Sequence, residues 1–153
     1  MNLILWRHAE AEDSGPGQDD MERALTAKGR KQARKMADWL NARLPAGARI
    51  IASPALRARQ TADALDRPYQ VAPAIAPGAG VESLCKAAHW PQPGNTTVLV
   101  GHQPDLGRLA AYLMTGATGA WAIRKAGIWW LRGRQQNGSL DVVIEAVVNP
   151  ELK

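Results

Sequence analysis

Three short apolar runs, Asn2-Leu-Ile-Leu-Trp6, Arg49-Ile-Ile-Ala52 and Thr96-Thr-Val-Leu-Val100, each stop abruptly at residues able to do chemistry. The first meets Arg7-His8, the second Ser53-Pro54 with Arg57 close behind, and the third Gly101-His102. Runs of this length, rich in β-branched and aliphatic residues, predict strands covered on both faces. Between them lie segments of helical period, and alternating strand and helix predicts a parallel sheet between two layers of helices. Open α/β sheets present ligands beyond the carboxyl ends of their strands, so the three terminations are expected to converge on one site.

The helical segments carry their own punctuation. Thr26 is placed to cap a helix whose apolar positions Ala33, Met36, Ala37, Leu40 and Leu44 recur at helical spacing, with Arg30, Lys31, Arg34, Lys35 and Asp38 on the other side. Pro45 and Gly47 are expected to end it. Ser53 reads as the N-cap, and Pro54 as the first turn, of a second helix running to about Leu65, before Pro68. Pro68, Pro73, Pro77, Gly78 and Gly80 leave room for one short edge strand and a loop, and residues 81 to 90 for one brief helix. Asp105 opens a helix that keeps Leu106, Leu109, Ala110 and Leu113 on one face. Ile128-Trp-Trp-Leu131 and Leu140 to Val148 read as strands, and the intervening Asn137-Gly138 marks a hairpin. No repeat or low-complexity tract interrupts the 153 residues, which are expected to form a single domain, 1–153.

Composition narrows the function classes. A hydrophobic fraction of 46% against 22% charged residues is that of a soluble globular protein. The net charge of +5 invites a nucleic-acid reading, but the densest basic run, Lys28 to Lys35, has no interleaved aromatic residue and reads as the solvated face of a helix. Neither nucleic acid nor membrane is therefore expected as a partner. The apolar start is cut short at Arg7, which leaves no signal peptide or span to draw, and the single Cys85 suits a reducing compartment; the expected location is the cytoplasm. Six acids between residues 9 and 22 lack the alternation of a calcium loop, and His8-Ala-Glu10 is not a zinc-protease motif, so no metal or cofactor is expected. Those acids read as a solvated loop, Arg23 and Arg59 as surface cations, and His89 as a structural hydrogen-bonding residue. The six Trp are placed in the core or at its rim.

Two guanidinium groups and two imidazoles at the strand ends would form a cationic cradle matched to phosphate oxygens. An imidazole nitrogen is nucleophilic near neutral pH without losing a proton, which singles out His8.

The motifs Arg7-His8-Ala9, Arg23-Ala-Leu-Thr26-Ala-Lys-Gly29, Ser53-Pro-Ala-Leu-Arg57-Ala-Arg-Gln-Thr61-Ala and Gly101-His102, in that order, resemble the histidine phosphatase superfamily, and within it the small SixA-type phosphohistidine phosphatases. The resemblance implies a phosphoglycerate mutase-like three-layer α/β/α fold. Its mixed, mostly parallel sheet would have six strands in the order 3-2-4-1-5-6, with strand five antiparallel and no large cap insertion. It implies a metal-independent phosphatase in which His8 forms a phosphohistidine intermediate. Arg7 and Arg57 would clamp the phosphate, and His102 would donate to it. Ala9 stands where the family's Arg-His-Gly motif has Gly, which suits a loop of negative φ only. Larger relatives carry a general-acid Glu in an insertion after the third strand; here Glu82 is nearest by order, with Glu12 and Asp13 beside His8 as rivals. If the substrate is itself a phosphohistidine, on a histidine phosphotransfer-type domain or a phosphocarrier, the leaving imidazole departs without a strong acid. An open site on a monomer would suit such a protein partner, in a role in signal transduction. A phosphatase for small phosphate esters, or a phosphate-binding module without turnover, are the alternatives.

Overall fold

The computed structural model describes residues 1–152. Six strands, β1 (Asn2–Arg7), β2 (Arg49–Ala52), β3 (Gln70–Val71), β4 (Thr96–Gly101), β5 (Ile128–Gln136) and β6 (Ser139–Val148), form one sheet in the order β3-β2-β4-β1-β5-β6. The first four strands are mutually parallel, while β5 runs antiparallel to β1 and β6 antiparallel to β5. Four helices, α1 (Ala27–Asn41), α2 (Leu56–Asp63), α3 (Val81–Ala87) and α4 (Asp105–Thr115), cover the two faces.

Side chains of β1 point alternately to opposite faces, as the pleat requires. Ile4 and Trp6 pack with Ala33, Met36, Ala37 and Leu40 of α1 and with Ala58 and Ala62 of α2. Leu3 and Leu5 face the other way, onto Leu84 of α3 and Leu106, Leu109 and Ala110 of α4. All four residues from Leu3 to Trp6 are wholly buried, which is why this strand reads as an unbroken apolar run. The result is the three-layer arrangement the sequence predicts.

Local signals are mostly obeyed. Thr26 caps α1, its hydroxyl accepting from the Gly29 amide at 2.9 Å. Lys28, Arg30, Lys31 and Arg34 lie exposed on the outer face of that helix. Asn137 and Gly138 turn the hairpin with φ of +51° and +81°, the pair of positive values a two-residue turn of this hand needs. No helix among the described residues is long and apolar enough to cross a membrane.

Three readings need correction. Ser53 is not the N-cap of α2; Ala55 holds that place without a side-chain cap, and the regular helix ends at Asp63 rather than Leu65. β5 continues to Gln136 through residues read as a polar connection, because the β5–β6 ribbon extends beyond the end of β1 and has little core to face there. His89 makes no structural hydrogen bond through its ring among the described residues; it sits exposed just past α3 with φ of +52°.

Candidate active site

Parallel pairing of β1 with β4 sets Arg7 opposite Gly101, so the next residues, His8 and His102, leave the sheet side by side. Their ring centroids lie 5.2 Å apart at an interplanar angle of 56°. His8 is held by its backbone from two sides, its amide donating to the Gly101 carbonyl (3.0 Å) and its carbonyl accepting from the Ala126 amide (3.1 Å). A third contact braces the following residue: the Ala9 amide donates to Thr61 Oγ1 at 3.1 Å, and that hydroxyl donates to the Arg57 carbonyl at 2.7 Å. Ala9 is fully buried and keeps negative φ, so the methyl group that replaces the family's usual Gly is accommodated without backbone strain.

Hydrogen bonding fixes the tautomer of His8. Its Nδ1 lies 2.7 Å from the Ala9 carbonyl oxygen, which can only accept. The proton is therefore on Nδ1, and Nε2 keeps a lone pair. Burial, together with the charges of Arg57, Arg7 and Arg23, lowers the pKa of His8 to about 4, against the hydrogen bond to Ala9, so the ring is neutral at physiological pH. His102 is lowered to about 3, chiefly by burial and then by its proximity to His8, Arg57 and Arg7, with Asp20 opposing.

Arg57 lies on the first turn of α2 and is only 4% exposed. Its Nη1 donates to the Asp20 carbonyl (2.8 Å) and its Nη2 to the Asp20 carboxylate (3.0 Å). Arg7 spends Nη1 on the Ile123 carbonyl at 2.8 Å. Each guanidinium thus has one anchored end, while Arg7 Nε, Arg57 Nε and His102 Nδ1 are buried without a partner among the described residues. Buried polar nitrogens left open in this way are costly, at about 1–3 kcal/mol each, and the two guanidinium Nε donors beside a free imidazole lone pair suit an anion.

Sequence reading missed three residues here. Asp20, taken as part of a solvated loop, clasps Arg57 and also pairs with Arg23 Nη1 at 3.1 Å. Arg23, taken as a surface cation, ties the loop to itself through the Glu12 carbonyl (2.6 Å) and contributes to the field on His8. Ser53, taken as a cap, is wholly buried with its Oγ 2.7 Å from His102 Nε2. The spacing of Asp20 to Arg23 was a usable signal; a contact between Ser53 and a residue 49 positions away was not.

The acid candidates are placed differently. Glu82 lies exposed in the first turn of α3, and the turn before it is drawn to α4 by the Asp105 carboxylate, which accepts from the Gly78 amide at 2.8 Å. Glu12 and Asp13 are exposed in the loop after His8, and neither carboxylate forms a hydrogen bond or ion pair among the described residues. None of the three forms a hydrogen bond or ion pair with His8, Arg7, Arg57 or His102 among the described residues.

Known proteins resemble this chain in sequence and in fold. A sequence model of the histidine phosphatase superfamily (branch 1) matches residues 3–78. An uncharacterised protein of Picosynechococcus sp. is 38% identical over 140 residues, covering 86% of this chain and 85% of that one. The phosphohistidine phosphatase SixA of Escherichia coli is 31% identical over 126 residues, covering 77% of each. A solved structure of the protein histidine phosphatase SixA complexed with tungstate superposes with a TM-score of 0.79 at 26% identity, covering 100% of both chains. By sequence and by fold, the chain belongs to the histidine phosphatase superfamily, among its small SixA-type members.

Proposed function

We propose that this protein is a metal-independent phosphatase that works through a phosphohistidine on His8, and that its substrate is a phosphohistidine carried by another protein. The observation that carries the reading is the pair of buried, neutral imidazoles facing each other at 5.2 Å beside two guanidinium groups with open Nε donors. His8 Nε2 brings its lone pair to phosphorus and forms the N–P bond, while the bond from phosphorus to the substrate imidazole breaks. That electron pair leaves on the substrate nitrogen, and the ring, already protonated by solvent at its other nitrogen, departs as neutral imidazole. A water oxygen then attacks phosphorus, the N–P bond to His8 breaks, and inorganic phosphate is released.

Arg7 and Arg57 hold the equatorial oxygens, and His102 donates to the phosphoryl group as its charge shifts. Asp20 binds both Nη groups of Arg57 and fixes its orientation, which leaves Nε without a protein partner among the described residues. Its carboxyl is held below the usual carboxylate range by the hydrogen bond from Arg23 and by Arg57, so it is ionised at neutral pH and is not the proton donor.

The substrate class follows from the leaving group. A phosphoimidazole ring can take a proton from solvent on its other nitrogen near neutral pH, as an ordinary imidazole pKa near 6.5 allows, and then leaves as neutral imidazole, whereas an alkoxide needs a strong, placed acid. The relative named as a phosphohistidine phosphatase, and the tungstate held by the matching solved structure, support this reading for the present chain. The partner is then a phosphotransfer-type domain or phosphocarrier presenting its imidazole to an open site.

The test is phosphate release, in the presence of a chelator, from a histidine-phosphorylated protein and from a small phosphomonoester. Turnover of the phosphoprotein is expected to persist in chelator and to fall by a factor on the order of 10⁴ in His8→Ala. Turnover of the ester alone would overturn the substrate class. Retained activity in His8→Ala would overturn the covalent route, and loss on chelation would overturn the metal-free one.

A further inference from the structure

Ser53 has two hydrogen-bond partners among the described residues, and they constrain its proton. Its Oγ accepts from the Ala55 amide at 3.2 Å and lies 2.7 Å from His102 Nε2. The amide can only donate, so the single acceptor available to the Ser53 hydroxyl is the imidazole nitrogen. The side chain is wholly buried, which closes off solvent as an alternative. In the reverse arrangement, with His102 Nε2–H donating to Ser53, the hydroxyl proton would be buried with no acceptor, and the buried, unpartnered Nδ1 would carry only a lone pair.

We propose that Ser53 is a positioning residue that donates to His102 Nε2 and so fixes the imidazole proton on Nδ1, the buried ring atom without a protein partner. What that donor meets, a phosphoryl oxygen, rests on the phosphatase reading above. A neutral ring then stabilises the developing charge without first taking up a proton. This fits its surroundings: burial first, and then the cations Arg57 and Arg7, disfavour a charge on His102, and Asp20 only partly offsets them. The two imidazoles are thereby set in matching roles. A carbonyl at Ala9 holds the proton of His8 on Nδ1 and bares Nε2 for attack, and a hydroxyl at Ser53 bares Nε2 of His102 and arms Nδ1 for donation.

The direct test is a long-range ¹H–¹⁵N correlation spectrum of the wild-type protein at pH 7, alone and with tungstate. His102 is expected as the Nδ1–H tautomer in both; an Nε2–H tautomer would overturn the proposal. Ser53→Ala is expected to lose the fixed tautomer and about tenfold in kcat on a phosphohistidine protein, with a smaller change in KM. Ser53→Thr, which keeps the hydroxyl, is expected to restore most of the rate. Wild-type turnover in Ser53→Ala with the tautomer unchanged would overturn the proposal as well. A wild-type protein without phosphatase activity would instead overturn the phosphatase reading, and the spectrum would still decide the role of Ser53.

Discussion

An imidazole attacks phosphorus only as a free base, and desolvation beside Arg57 and Arg7 keeps His8 in that form. In the proposed mechanism the same two cations hold the phosphoryl group, so one arrangement serves both ends. Anchoring matters as much as charge: Asp20 and Ile123 each take one end of a guanidinium, which orients the remaining donors before any ligand arrives. Arg57→Lys keeps the charge but loses the planar fork and both contacts to Asp20. Binding of tungstate to this variant, followed by calorimetry, is expected to weaken by about 10- to 100-fold, the loss of one or two charge-assisted hydrogen bonds.

At the scale of elements, the site depends on how closely α1 and α2 approach the loop after His8. A side chain on Gly29 would run into the Glu10 backbone, so the first turn of α1 seats against the loop only because that position lacks a Cβ. Gly29→Ala is expected to cost about 1–3 kcal/mol as the helix or the loop shifts, read as a lowered urea midpoint at unchanged m. Thr61 performs the complementary task from α2. Replacing it by Val leaves the buried Ala9 amide without its acceptor, with an expected loss of about 1–3 kcal/mol in stability. Because that amide follows His8 directly, a drop in kcat beyond what lost stability explains should accompany it.

For the molecule as a whole, the two buried imidazoles make stability depend on pH in one direction. Their folded pKa values, about 4 for His8 and about 3 for His102, lie below the ordinary 6.5, so between these limits the unfolded chain binds more protons than the folded one. Stability is then fully present above about pH 6.5 and is lost as the pH falls toward 4 and 3. Urea unfolding at pH 7 and pH 5 should show the decline, and the His8→Ala, His102→Ala double variant should show a visibly flatter slope. An equal slope in that variant would place the acid sensitivity elsewhere.

Much of this fold was legible because its signals are short in range. Alternating apolar runs and helical periods named the layers, Thr26 marked the start of α1, Asn137-Gly138 marked the hairpin, and the resemblance supplied a strand order that the sheet reproduces. The four residues expected to meet, Arg7, His8, Arg57 and His102, could be listed in advance because each follows a strand whose end must lie at the same edge of a parallel sheet. What only the folded chain decided was proton placement and anchoring: Ala9 against His8, Ser53 against His102, Asp20 against Arg57. For Ser53 and Asp20 these contacts join residues 49 and 37 positions from their partners, and a serine before proline or an aspartate in an acidic loop carries no local mark of them. Periodicity and capping report forces along a few turns of chain, whereas a hydrogen bond between distant elements exists only once packing has set their separation.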